Sequence, residues 1–154
     1  MEVYVARVLT GEAAPNSPPA SLEALDASVP AKPRTRVLVL AVSRRIVGVD
    51  VELPSTGRDI HGLVNRWFTE AEKQQFAALP AALQPEAFLR GWTCKEAVLK
   101  ALGTGVRDLQ NVTVDLDPRL PPQVLECPGS MRWELECWKA GAADAAVCAA
   151  LDRE

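Results

Sequence analysis

Two acidic residues stand two positions apart in a short β-branched run, Gly48-Val49-Asp50-Val51-Glu52. Side chains alternate between the faces of a strand, so Asp50 and Glu52 are predicted to share one face. The intervening Val49 and Val51 are then expected to point into the core. Adjacent carboxylates repel each other unless a cation lies between them, and oxygen ligands from few protein groups suit Mg²⁺. The alternative interpretation is an ordinary solvated strand end.

A second group of polar residues lies in the segment 92–105, whose sequence is WTCKEAVLKALGTG. Helical spacing places Trp92, Glu96 and Lys100 on one face, at i, i+4 and i+8. Glu96 and Lys100 are also in the order favoured for an exposed ion pair, which contributes only about 0.3–0.5 kcal/mol. A surface ion pair is therefore the alternative to a functional role.

Together the two segments resemble the paired signature of the 4′-phosphopantetheinyl transferase superfamily, GVDxE followed by WxxKEAxxKxxG. Residues 66–72, RWFTEAE, are similar to an aromatic-Phe-Thr-x-x-Glu segment that the family has between them. The resemblance covers about residues 36–150. An acidic residue, Glu52, stands two positions after Asp50, and this pattern resembles that of the subgroup typified by the surfactin-synthetase activator.

The resemblance implies transfer of the 4′-phosphopantetheine group from coenzyme A to a serine of an apo acyl or peptidyl carrier protein. The reaction would need Mg²⁺ and release 3′,5′-ADP, as in an enzyme of the holo-[acyl-carrier-protein] synthase type. Little covalent work falls to such an enzyme, so positioning and charge neutralisation should dominate. The alternative is a non-catalytic relative that binds coenzyme A or a carrier protein as an accessory module.

The resemblance also assigns roles to individual residues. Asp50, Glu52 and Glu96 would hold Mg²⁺ against the coenzyme A pyrophosphate. Lys95 would lie near the phosphates, and Lys100 near the reacting centre.

Glu72 is a further catalytic candidate, which would assist the metal or position the incoming serine. The serine proton must pass to a base. Glu96, neutral Lys100 and a water molecule at the metal are all candidates, and the residues alone leave the three open.

The chain departs from the full-length members of the subgroup, which have two similar halves, because most of the first half is not matched. The family's Ser-His-Ser motif, whose histidine contacts the 3′-phosphate of the coenzyme, corresponds roughly to Ala31-Lys32-Pro33. Lys32, Arg34 or Arg36 is expected to replace the histidine, since lysine and arginine bind phosphates. A second copy of the chain would replace the missing half, so we expect a homo-oligomer, either a dimer or a trimer.

The order of the predicted elements is strands, helices, strands, which favours an α+β fold. We expect a single half-domain in which an antiparallel sheet packs against a long helix. Residues 1–35 are predicted to be an N-terminal strand plus a proline-rich linker, and residues 36–154 a phosphopantetheinyl transferase-like domain. The predicted strands are 36–43, 46–52, 111–117, 131–138 and 145–151.

Helix boundaries follow from local signals. Thr69 and Glu72 form a capping box, which predicts a helix start near residue 69. Pro80 and Pro85 are predicted to bracket a loop. A long helix is predicted from Glu86 to residue 102, ended by Gly103.

Composition limits the remaining classes of function. The formal net charge of −3 argues against sequence-independent nucleic-acid binding. The longest apolar run, residues 37–42, is far shorter than the roughly 20 residues that cross a membrane. The N-terminus shows no secretory signal, so we expect a cytoplasmic protein. Carrier proteins of the family are typically acidic, and the candidates for a local basic surface are Arg44, Arg45, Arg58, Arg66 and Lys73.

Overall fold

The computed structural model describes residues 39, 41, 45–140 and 145–153. The predicted N-terminal strand, the proline-rich segment and most of the predicted strand 36–43 lie outside the described residues. The same is true of the three predicted phosphate contacts, Lys32, Arg34 and Arg36.

The described chain folds into a helical layer on an antiparallel sheet. The sheet has the order β1-β5-β4, with both neighbouring pairs antiparallel, and β2 and β3 form a separate antiparallel pair. The long helix α3 packs across β1 and β5, which confirms the predicted α+β fold. The elements are β1 Val47–Glu52, α1 Ile60–Trp67, α2 Glu70–Ala78, α3 Gln84–Leu102, a 3₁₀ helix Val106–Asn111, β2 Thr113–Val114, β3 Val124–Glu126, β4 Arg132–Ala140 and β5 Ala145–Arg153.

Strand β1 crosses α3 at a glycine. A Cβ atom built on Gly48 would lie 2.0 Å from the carbonyl oxygen of Ala97 and 2.5 Å from the amide nitrogen of Ala101. Both are backbone atoms of α3, so no side chain larger than hydrogen fits at this crossing. The glycine therefore sets how closely the strand approaches the helix.

The predicted orientation of β1 was wrong in one respect. Gly48 and Asp50 are the buried residues of the strand, whereas Val49 and Val51 are only half-buried. Because the strand lies against α3 at Gly48, the face that carries the glycine and the aspartate is the one that packs on the helix. The carboxylates thus lie between strand and helix rather than on the outer face of the sheet.

The signals at the helix ends were largely correct. The backbone N–H of Thr69 donates to Glu72 Oε2 at 2.8 Å, and the Glu72 N–H donates to Thr69 Oγ1 at 3.4 Å, which confirms the capping box. Gly103 ends α3 in the left-handed region, with φ 72°. The loop that was predicted to extend to Pro85 was too long, because α3 starts at Gln84. Pro85 fits the first turn of the helix, where the missing N–H of proline removes no helical hydrogen bond.

The predicted strand 111–117 was also too long, since only Thr113–Val114 forms a strand. After it, the N–H of Leu116 donates to the side chain of Gln75 on α2, and the N–H of Asp117 to the side chain of Asp115. Backbone groups that bond to side chains do not extend a strand. No helix of the described residues is long and apolar enough to cross a membrane.

Candidate active site

Three carboxylates and one ammonium group meet where β1 crosses α3, and we call them the acid cluster: Asp50, Glu52, Glu96 and Lys100. The strand contributes the first two, and the helix contributes the others, one turn apart. Asp50 is buried, with 8% of its surface exposed. Lys100 Nζ donates to Asp50 Oδ1 at 2.6 Å, whereas the buried Asp50 Oδ2 has no hydrogen-bond partner.

The three carboxylates lie in one another's electric field. Burial raises the pKa of the Glu52 carboxyl, the charge of Asp50 raises it further, and Arg58 lowers it. Burial likewise raises the pKa of Glu96, and both Asp50 and Glu52 add to the increase, while Lys100 opposes it. Three carboxylates and one ammonium group give the cluster an excess of negative charge, which Arg58 offsets in part at Glu52.

This donor set fits a hard divalent cation. Mg²⁺ prefers carboxylate oxygens, and the orphaned Oδ2 of Asp50 is a buried acceptor that such an ion would satisfy. Within the described residues, no group of three or more His, Cys, Asp or Glu side chains is gathered tightly enough to form a ready-made metal site. The carboxylates of Asp50, Glu52 and Glu96 would therefore have to draw together around the ion.

The predicted stripe on α3 is confirmed. Between residues 91 and 100, Trp92, Glu96 and Lys100 are the residues that are not buried, and the seven others are. Within residues 91–100, the face that carries the cluster is thus the accessible face of the helix.

The structure places Lys95 and Glu72 in a different environment. Both side chains are fully buried, and Lys95 Nζ forms a short ion pair with Glu72 Oε2. The ammonium also lies 4.9 Å from the centroid of the Phe68 ring. Burial lowers the pKa of Lys95, and the charge of Glu72 opposes the decrease.

The Glu72 carboxylate accepts hydrogen bonds from three donors. Besides Lys95, its carboxylate accepts the N–H of Thr69 at the start of α2 and the N–H of Val114 in β2, each at 2.8 Å. The pair thus ties α2, α3 and β2 together. The phosphate contact predicted for Lys95 and the catalytic role predicted for Glu72 remain predictions, and both would require this buried pair to open.

One residue that lies beside the cluster was not recognised as a neighbour from the sequence. Arg58, which was considered only as a surface charge, lies with Nη1 3.6 Å from Glu52 Oε2. The signal was weak, because five residues of an irregular loop separate it from the strand that carries Glu52. Of the other basic surface candidates, Arg66 is exposed and lies 4.8 Å from the Trp67 ring, and Arg44 lies outside the described residues.

Comparison with known proteins identifies the family. The sequence model of the 4′-phosphopantetheinyl transferase superfamily matches residues 46–150, a range that includes β1, α3 and the whole acid cluster. The chain belongs to the 4′-phosphopantetheinyl transferase superfamily. Among curated members, the 4′-phosphopantetheinyl transferase HetI of Nostoc sp. is 34% identical over 91 residues, which cover 59% of this chain. The matched part spans 37% of the length of HetI.

Solved structures of the superfamily share the fold. The holo-[acyl-carrier-protein] synthase of Neisseria meningitidis is similar with a TM-score of 0.53 and 19% identity, covering 70% of this chain and 97% of that one. The Bacillus anthracis synthase, solved in complex with CoA (3′,5′-ADP), gives a TM-score of 0.53 at 21% identity, with coverage of 70% and 96%. At such identities the likeness concerns the fold alone.

Proposed function

We propose that this chain transfers the 4′-phosphopantetheine group of coenzyme A to a serine of an apo acyl or peptidyl carrier protein. The reaction would depend on Mg²⁺ and release 3′,5′-ADP, as in a holo-[acyl-carrier-protein] synthase type enzyme. The observation that carries the proposal is the acid cluster, in which Asp50 keeps a buried oxygen without a partner. Membership of the superfamily supports it, and the coenzyme in the Bacillus anthracis structure supports the choice of co-substrate.

The proposed reaction exchanges one phosphorus–oxygen bond for another. The serine oxygen bonds to the phosphorus that carries the pantetheine arm, and the bond from that phosphorus to the bridging oxygen breaks, so that 3′,5′-ADP leaves. When bound, Mg²⁺ would neutralise charge on the attacked and the leaving phosphate together. Asp50, Glu52 and Glu96 would hold it from one side of the pyrophosphate.

The remaining work falls to side chains of the cluster. Lys100 is half-exposed at its edge, where a long flexible cation can contact an anionic substrate. The serine proton must pass to a base. Glu96, neutral Lys100 and a water molecule at the metal are the candidates for this base.

The carrier protein would dock beside the cluster. Carrier proteins of the family are typically acidic, and complementary charge speeds encounter and fixes register. Arg58 and Arg66 are exposed on the segment from the β1–α1 loop through α1, close in the chain to Glu52. We also propose a homo-oligomer, a dimer or a trimer, in which a second copy replaces the unmatched half. Sedimentation velocity tests this, and a strictly monomeric active protein would contradict it.

Intact-protein mass spectrometry tests the transfer itself. A panel of apo carrier proteins is incubated with this protein, coenzyme A and Mg²⁺, next to an active transferase as positive control. We expect at least one carrier to gain one phosphopantetheine group, and EDTA to abolish the gain.

Two aspartate variants sharpen the test. Asp50→Asn should reduce the rate by about a hundredfold or more, because a neutral amide would hold the divalent cation less tightly and so weaken charge neutralisation at the reacting phosphates. Asp117→Asn is the matched control, since Asp117 lies in a loop and pairs with Arg119 outside the cluster. No gain on any carrier would favour the alternative, an accessory relative that binds coenzyme A or a carrier without chemistry. Equal loss in both variants would contradict the assignment of the site.

A further inference from the structure

Lys100 interacts with all three carboxylates of the acid cluster. Its ammonium donates to Asp50 Oδ1 at 2.6 Å, and its charge opposes the raised pKa values of both Glu52 and Glu96. One lysine is therefore within the electric field of all three carboxylates. A second cation that used the same carboxylates would meet this ammonium at close range.

The exposure of Lys100 allows another cation to replace it in the contact with Asp50. Half of the Lys100 side chain is exposed, against 9% of the Asp50 side chain. A lysine ammonium is a compact charge on a flexible four-carbon stem, so it can leave Asp50 and stay hydrated. Asp50 cannot move as easily, because it lies on the buried face of β1 against α3.

We propose that Lys100 is the resident counter-ion of the metal-free acid cluster, and that it leaves Asp50 when a divalent cation binds there. The proposal rests on the proposed function, because it takes the cluster as the Mg²⁺ site. Lys100 thus has two positions. In one it neutralises Asp50, and in the other it faces the anionic phosphates of the substrate.

This exchange couples the binding of the metal to the binding of the coenzyme. In the absence of coenzyme, binding of the metal costs the Lys100–Asp50 contact and leaves the ammonium without a protein partner in the cluster. When coenzyme A is present, the released ammonium gains a phosphate partner. Each ligand therefore strengthens the binding of the other by the same factor, as thermodynamic linkage requires.

The test is Mn²⁺ binding to the full chain without coenzyme or carrier, measured by electron paramagnetic resonance. Asp50→Asn identifies binding at the cluster. We expect Lys100→Met to bind Mn²⁺ about tenfold more tightly than the wild type, which corresponds to about 1.4 kcal/mol. Lys73→Met is the matched control, because it removes the same charge from an ion pair with Glu70 that lies outside the cluster. We expect it to change the affinity by less than about threefold.

A second titration measures the coupling. Mn²⁺ affinity is determined with and without coenzyme A, for the wild type and for Lys100→Met. Coenzyme A should strengthen Mn²⁺ binding more in the wild type than in the variant, because only the wild type has an ammonium to transfer. Circular dichroism verifies that the variant is folded, and Lys100→Gln replaces it if it is not.

The outcomes separate the inference from the function. Wild-type binding that depends on Asp50, without tighter binding in Lys100→Met, would overturn the inference and leave the metal site in place. An equal gain in Lys73→Met would also overturn it, because the effect would then be a general loss of positive charge. Absence of Asp50-dependent binding in every protein would overturn both the inference and the Mg²⁺ part of the proposed function.

Discussion

Two lysines of α3, Lys95 and Lys100, each form an ion pair with a carboxylate, and the two pairs differ in almost every other respect. Lys95 and Glu72 are fully buried, whereas the Lys100 side chain is half-exposed and Asp50 is mostly enclosed. In the buried pair, the carboxylate also accepts two backbone N–H groups. In the exposed pair, one oxygen of the carboxylate has no partner.

The difference shows how one helix can carry both a fixed and an exchangeable charge. A buried ion pair persists because neither partner has access to water, and separating the two would leave an uncompensated charge. An ion pair at the edge of a cleft can be replaced by another cation at small cost, because water solvates the released ammonium. The Lys95–Glu72 pair thus anchors α3, and the Lys100–Asp50 pair is free to respond to ligands.

The largest effect is expected from breaking the buried pair. Lys95→Met should lower the free energy of unfolding by about 3–5 kcal/mol, because it leaves the Glu72 carboxylate buried without its counter-charge. Urea denaturation followed by circular dichroism measures the change.

Lys100→Met is the control for this measurement, since it removes the same charge from the same helix. Solvent screens the half-exposed ammonium, so the expected loss is about 1 kcal/mol or less. Similar losses in the two variants would contradict the distinction between the pairs. A stable Lys95→Met protein that no longer binds coenzyme A would instead support the predicted contact between Lys95 and a phosphate.

A smaller effect is expected from removing the charge of Glu96, which is disfavoured by burial and by the charge of Asp50. The pKa of Glu96 is raised in the folded protein, so the folded state binds more protons than the unfolded state just above pH 4.5. Its stability therefore falls as the pH rises through the window from 4.5 to the raised pKa. In metal-free protein, Glu96→Gln should be more stable than the wild type above this window, by about 0.5 kcal/mol after solvent screening.

Denaturation of both proteins between about pH 4 and pH 8 measures this difference, and the subtraction cancels the other titrating groups. The difference should vanish below pH 4.5, where the wild-type carboxyl is protonated in both states. A difference that is independent of pH would contradict the raised pKa of Glu96, whose causes are burial and the charges of Asp50 and Glu52.

Elements defined by neighbours in the chain could be predicted from the sequence. The capping box at Thr69 and the glycine that ends α3 both depend on contacts within a few residues, and both were correct. The strand β3 was missed, and β2 was predicted too long. The N–H groups of Val114 in β2 and of Leu116 just after it donate to the side chains of Glu72 and Gln75, which lie about forty residues earlier in the chain.

The candidate site, too, could be predicted only in part from the sequence. The residue types and the spacing of Asp50, Glu52, Glu96 and Lys100 pointed to an acidic site, and the fold brings these four side chains to one crossing. The burial of Lys95 could not be predicted, because the resemblance places it in the same motif as Glu96. Its partner Glu72 is on another helix, and only the packing of α2 on α3 brings the two together.

The sequence by itself determined the family, the helix of the second motif and the carboxylates of β1, because these depend on residue type and local spacing. Only the tertiary structure decided which lysine anchors the helix and which faces the cluster. Lys95 and Lys100 are five residues apart, and at 3.6 residues per turn their side chains point about 140° apart around the helix axis. One direction leads into the core beside α2 and β2, and the other leads to Asp50 in β1.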